Sequence, residues 1–204
     1  MGKLDYKKEY QNLYRPKKNK FTIVDVPTFK YLMIDGIGDP NVSENYQLAV
    51  SAIYSCAYAI KFKLKSQGFD YVVPPLEGLW WMENMSEFSV DKKDRWLWTM
   101  MILQPEHVTR DHLAEAKESA RDKTPNPQIG HLRLETYQEG LSAQVLYFGP
   151  YAAEGPTITA LHDFIHAQGY QRQGKHHEIY LSDPRRTAPE KLKTIIRQPI
   201  QMSS

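Results

Sequence analysis

Two acids in this chain stand close to large aromatic residues. In "KHHEIYLSDP", residues 175–184, Glu178 lies two residues before Tyr180; in "YVVPPLEGLWWMEN", residues 71–84, Glu77 precedes the adjacent Trp80 and Trp81. Read as a strand, the first stretch puts Glu178, Tyr180 and Ser182 on one face and Ile179 and Leu181 on the other. A carboxylate at the bottom of an aromatic pocket can meet a cation or orient a water molecule. Burial with few charge partners would raise its pKa and make it a proton acceptor. An exposed Glu in a half-buried strand fits the local pattern equally well. In the second stretch alternation separates Glu77, Leu79 and Trp81 from Gly78, Trp80 and Met82. Both indoles can line one cleft only if Gly78 carries a bulge; otherwise one is core and one lies at an edge. An indole facing a cleft would stack on a flat apolar ligand or attract a cation.

Other chemistries find less support. His162 and His166 are four apart on an expected helix, with His176 and His177 following, but position 163 is Asp and the glutamate of H-E-x-x-H is missing. Cys56 falls in an apolar helical run and reads as a small core residue. The serines stand in no G-x-S-x-G setting, and "GIGDP" is too short for a dinucleotide loop. No metal and no cofactor are expected.

These residues need a scaffold, and the sequence suggests one built twice. "KYLMIDG" reads as a strand. "ENYQLAVSAIYSCAYAIKFKLKSQG" then reads as a helix, with Tyr46, Ala49, Val50, Ile53, Ala57, Ile60 and Leu64 on one face and Gly68 at its end. Strands around Glu77–Met82 and in "RWLWTMMILQP" follow. Later, "HLRLETYQEGLSAQVLYFGPY" reads as two strands around the turn residues Glu139 and Gly140. A helix through Ile158, Leu161, Phe164 and Ile165 comes next, and "HHEIYLSD" and "LKTIIRQPIQ" are the last strands. The fold expected is α+β: a tandem β-α-β-β repeat with pseudo-two-fold symmetry, its antiparallel sheet carrying packed helices. One domain would span residues 21–204, as halves of about 21–106 and 129–201. A helix at about 109–123, capped by Thr109, would join them. Glu77 and Glu178 occupy equivalent places in the halves, and the seam between halves is the expected pocket. Residues 1–20 form a leader whose Tyr6, Tyr10 and Tyr14, four apart, fit either a short packed helix or a solvated segment.

Bulk properties bound the functions. With 26 Lys plus Arg against 24 Asp plus Glu, the net charge is +2, which supplies no footprint for nucleic acid and no polybasic membrane anchor. Cys56 is the only cysteine, no signal peptide is visible, and no run of about 18 apolar residues occurs. A cytoplasmic protein is expected. The chain has 13 Tyr, 7 Phe and 4 Trp, with every Trp between positions 80 and 98; much of this must be core, while its concentration in one segment invites a pocket reading.

The motifs "YLMIDGIGDPN", "PLEGLWW", "EGLSAQVLYFGPYAAEGPTI" and "HHEIYLSDPRRTAPEKLKTIIRQPI" resemble the GyrI-like small-molecule-binding family. They look closest to its stand-alone subfamily, which includes cyclopropanoid cyclopropyl hydrolases. The resemblance spans nearly the whole chain. It implies a fold like the effector domains of multidrug regulators, where a buried glutamate among aromatics binds lipophilic cations; that position maps to Glu178. It also implies an aromatic cage for flat, cyclopropane-bearing DNA alkylators of the yatakemycin type, whose ring water opens in a detoxification reaction. Glu178 and Tyr180 then become the catalytic candidates. Trp80, Trp81, Glu77, Tyr147, Tyr58 and His176 become the ligand contacts. One departure stands out: Tyr147 and Phe148 precede "GPY" where the family favours histidine, so Tyr147 keeps only a contact role. The partner implied is a flat, lipophilic small molecule, cations included. A non-catalytic drug-binding module is the alternative. A gyrase-shielding module is a third reading, unsupported by the near-neutral charge. No helix-turn-helix pattern precedes residue 21, so a complete transcription regulator is not expected.

Overall fold

The computed structural model describes residues 2–85 and 90–203. In chain order the main elements are α1 (Tyr6–Glu9), α2 (Gln11–Tyr14), β1 (Thr22–Val26), β2 (Phe29–Ile37), α3 (Glu44–Ser66), β3 (Leu76–Trp81), β4 (Leu97–Gln104), α4 (Arg110–Lys123), β5 (Arg133–Tyr137), β6 (Gly140–Phe148), α5 (Gly155–Ala167), β7 (Tyr170–Arg172), β8 (His176–Tyr180) and β9 (Lys193–Met202). The strand pairings are antiparallel, and helices pack on the strands, giving the α+β class expected.

The chain forms two compact units. The first holds Phe29–Pro74 and Gly78–Tyr137 together with the residues up to Asp5. Its strand order is β3-β4-β2-β5. Helix α3 begins where the Ser43 hydroxyl accepts from the Tyr46 N–H at 3.2 Å, and it ends beside Gly68, whose φ of +91° suits glycine. Its buried stripe is Ala49, Ala52, Ile53, Cys56, Ala57, Ile60 and Leu64. Four of these are small, which lets the helix lie close to its neighbours β2, β4 and α4. Cys56 is fully buried, as its apolar setting predicts, and burial pushes its thiol up to about 11. Helix α4 starts at Thr109, whose hydroxyl accepts from the His112 N–H.

The second unit holds Tyr6–Thr28, Pro75–Glu77 and the chain from Gln138 onward. Its strand order is β1-β6-β9-β8, with β7 pairing to β9. Ala143, Val145, Leu161, Ile165, Ile196 and Ile200 form a core between α5 and one sheet face. Each fully buried Leu or Ile contributes on the order of 1.5–3 kcal/mol. Of the tyrosines spaced by four, Tyr6 opens α1, Tyr10 lies between the two helices and Tyr14 ends α2. Tyr6 and Tyr10 stack at 6.0 Å, and Tyr14 is 2% exposed, so this segment packs rather than floats.

One pairing differs from the simple repeat. β1, which opens the first repeat, pairs with β6, and β5, which opens the second, pairs with β2. Each unit thus takes its opening strand from the other half of the sequence. β5 and β6 are both strands, as expected, but Glu139 is not a surface turn residue. Its carboxylate is drawn inside by His177 and Arg197, and this holds the link between the strands.

Candidate functional site

Strand β8 sorts its side chains onto two faces, and each face carries its own polar cluster. Glu178 pairs with Ile196 on β9, and Ile196 with Val145 on β6, so Glu178 stands on the face covered by α5. His176 and Tyr180 share that face by the period of two. The result is a short row along one strand. His176 Nε2 lies 3.1 Å from Glu178 Oε1, and Tyr180 Oη donates to Glu178 Oε2 at 2.9 Å. Because a carboxylate only accepts, the His176 proton facing it sits on Nε2. Tyr151 meets Tyr180 edge to face at 5.6 Å, and both rings are half-buried. Glu154, the residue before α5, is buried and hydrogen-bonds the Glu178 carboxyl. Tyr147 belongs to the same face, and its hydroxyl donates to the Pro150 carbonyl at 3.0 Å.

Glu178 is 8% exposed. Burial pushes its carboxyl up. The hydrogen bond and charge of His176, then the bonds from Tyr180 and Glu154, outweigh burial and hold it below the usual carboxylate range. The sequence suggested the opposite direction, on the assumption of few partners; three polar neighbours reverse it. The site therefore offers an enclosed, ionised carboxylate bonded by the Tyr180 phenol and the His176 imidazole, with the Glu154 carboxyl beside it.

The other face of β8 carries a sealed ionic cluster that sequence spacing did not reveal. His177 Nδ1 lies 2.8 Å from Glu139 Oε1, and its Nε2 is 3.1 Å from Glu77 Oε2. The second contact is an ion pair whose N–H points off the line to the oxygen, short of a well-formed hydrogen bond. Arg197 donates to Glu139 at 3.0 Å, to Gln144 at 3.0 Å and to the Leu13 carbonyl at 3.0 Å. Tyr14 donates to Glu77 at 2.9 Å. Two carboxylates thus face two cations, and buried charges persist only when paired in this way. Burial would lower His177, but Glu139 and then Glu77 carry it up to about 9. Burial would raise Glu139, but His177 and Arg197 pull it down to about 2. Glu77 is fully buried in this cluster. It was expected as a ligand contact; its carboxylate is occupied by Tyr14 and His177.

The remaining sequence candidates lie in the first unit. Trp80 is 3% exposed and packs against Tyr46 at 6.0 Å and Trp96 at 5.6 Å. Trp81 is half-buried. Tyr58 is on the open face of α3, 46% exposed, between Tyr54 and Phe62. The structure thus gathers His176, Glu178, Tyr180 and Tyr147 on one face and assigns Glu77 to the ionic cluster. Trp80, Trp81 and Tyr58 belong to the first unit.

His162 pairs with Arg172 at 3.1 Å, and burial, then Arg172, holds it down at about 4. Among the described residues no group of three His, Cys, Asp or Glu side chains is placed to hold a metal ion. No described helix is long and apolar enough to cross a membrane. Two surface grooves occur, neither of them lined by Glu178. One, of about 340 Å³, is lined by Arg110, Lys117, Arg133 and neighbours, and the other, of about 260 Å³, by Asn19, Phe21, Val145 and the start of α5.

The scaffold is an antiparallel sheet with helices packed on it, and it holds a buried carboxylate beside the Tyr180 phenol. Residues 19–201 match the family described as the GyrI-like small molecule binding domain, and the chain belongs to that family. No curated protein matches the chain. Among solved structures, an uncharacterized conserved protein from Listeria innocua is 42% identical, with a TM-score of 0.90. A hydrolase from Listeria innocua is 41% identical, with a TM-score of 0.88. Each alignment covers 98% of this chain and 100% of the other. The C-terminal domain of EcmrR is similar in fold, with 11% identity, a TM-score of 0.60, and coverage of 90% of this chain and 98% of that one.

Proposed function

We propose that this protein hydrolyses flat, lipophilic electrophiles, with cyclopropane-bearing alkylators as the substrate class, and so detoxifies them. The observation that carries the reading is the Glu178 carboxylate, ionised, enclosed and oriented by Tyr180 and His176. Membership of a small-molecule-binding family and the 41%-identical hydrolase support it. In such a substrate the three-membered ring is conjugated to a dienone. A water oxygen forms a bond to the exposed ring carbon, and the ring C–C bond breaks. Its electron pair moves into the dienone, leaving a phenolate. The water's proton passes to Glu178, and a proton from solvent neutralises the phenolate, so the sum is addition of one water. Tyr151 and Tyr180 supply aromatic surface for the flat body. General-base help is typically worth ~10²–10⁴ in rate, which suffices for an already reactive ring.

Incubation with a cyclopropanoid alkylator, followed by mass spectrometry, tests this. The expected product carries one added water. Unchanged turnover by Glu178→Gln would remove Glu178 from the mechanism.

A second reading, ligand capture without chemistry, is favoured by the same lowered carboxyl. A carboxylate already stabilised by His176 and Tyr180 is a weaker base than a bare one, yet it still attracts a lipophilic cation. Calorimetric binding with an unaltered ligand recovered afterwards would select this reading over hydrolysis.

A further inference from the structure

Thr194 lies on β9 directly between two phenols of the site, paired with Tyr180 on one side and Tyr147 on the other. It shares the Glu178 face, since Ile196, two residues along, is the partner of Glu178. Thr194 is fully buried, and among the described residues no group hydrogen-bonds its Oγ1. The nearby phenols are committed elsewhere: Tyr180 donates to Glu178 and Tyr147 to the Pro150 carbonyl. Buried hydroxyls are rarely left unmatched, and the usual solution is an ordered water with two or more polar partners. A diagonal neighbour on the next strand lies about 7–8 Å away, the span one water can bridge between two side chains. Glu178 is that diagonal neighbour. Its two oxygens have four lone-pair sites, more than the bonds from His176, Tyr180 and Glu154 require.

We propose that Thr194 Oγ1 and the Glu178 carboxylate hold one water molecule between them, and that this water is the nucleophile of the hydrolysis. The second half rests on the hydrolase reading; the first does not. Thr194 positions the oxygen through one hydrogen bond while Glu178 accepts the proton. The attacking water is then fixed before substrate arrives, which is where orientation contributes most to rate.

The test has two arms on the full chain. A high-resolution crystal structure of the ligand-free protein should show a water within hydrogen-bond distance of both Thr194 Oγ1 and a Glu178 oxygen. Thr194→Val, which keeps the shape and removes the hydroxyl, should lose that water. Density lacking any such water in the unaltered protein overturns the proposal, whatever the enzyme does. In the second arm, Thr194→Val should lower kcat on a cyclopropanoid alkylator ~10-fold or more, with KM changed less than ~2-fold, and Thr194→Ser should restore most of the rate. Wild-type kcat in Thr194→Val overturns the nucleophile assignment. Should the unaltered protein add no water to the alkylator, the hydrolase reading fails, and the crystallographic arm alone decides the water site.

Discussion

His177 Nδ1 and Glu139 Oε1 meet at 2.8 Å, with neither side chain more than 1% exposed. His177 is raised to about 9 from 6.5, so its contribution to stability is complete below 6.5 and is lost as pH rises through 9. Glu139 is lowered to about 2 from 4.5, so its contribution is complete above 4.5 and is lost as pH falls towards 2. The melting temperature should therefore plateau between 4.5 and 6.5 and decline on both sides. Scanning calorimetry across buffers measures this directly. An unchanged melting temperature through the alkaline range would show that His177 is not held as a cation.

Removing one member of the cluster should be costly. Glu139→Gln leaves His177 and Arg197 facing Glu77 as the cluster's one remaining carboxylate. Breaking a buried pair in this way typically costs about 3–5 kcal/mol. For a chain of this size that corresponds to a fall of roughly 10 °C in melting temperature. A shift under about 2 °C would show that the cluster relaxes without penalty.

Under the hydrolase function proposed above, turnover should respond to the site's protonation with a definite sign. Tyr180 donates to Glu178 and helps hold its carboxyl down. Tyr180→Phe should let that carboxyl rise, moving the acidic limb of the kcat–pH profile to higher pH. Glu178→Gln should lower kcat by ~10²–10⁴ at every pH. An acidic limb that stays in place in Tyr180→Phe would assign it to a different group.

Gly149 offers a test of packing at the same face. Its φ is +145°, and a Cβ there would lie 2.4 Å from the Tyr147 hydroxyl. Gly149→Ala should displace the phenol and destabilise the protein by about 1–3 kcal/mol. Tyr147→Phe, which removes only the bond to Pro150, should cost about 0.5–1.5 kcal/mol. Urea unfolding of both variants separates the close approach from the hydrogen bond.

Much of the frame was readable from local pattern. Helix α3 shows its three-four stripe and its glycine stop, α4 shows its Thr109 cap, and period two in "HEIY" puts Glu178 and Tyr180 on one face. These are signals between near neighbours. The ionic cluster was not readable, because its members stand at positions 14, 77, 139, 177 and 197 and meet only through tertiary structure. Glu139 looked like a turn residue beside glycine, which describes its backbone setting and misses its carboxylate. The direction of the Glu178 shift is set by His176, Tyr180 and Glu154, hydrogen-bond partners that strand spacing alone does not specify. Strand partners were equally hidden, since hydrophobic alternation specifies which face is buried and leaves the neighbour open.

The crossed allegiance of β1 and β5 has a bearing on how this polypeptide can be divided. Cutting at the boundary of the internal duplication would give two fragments, each carrying an edge segment that belongs to its sibling and missing the one it requires. Neither piece should reach its native pairing by itself, while mixing the two should allow recovery. The duplicated module and the autonomous folding entity are therefore different partitions of the same covalent string.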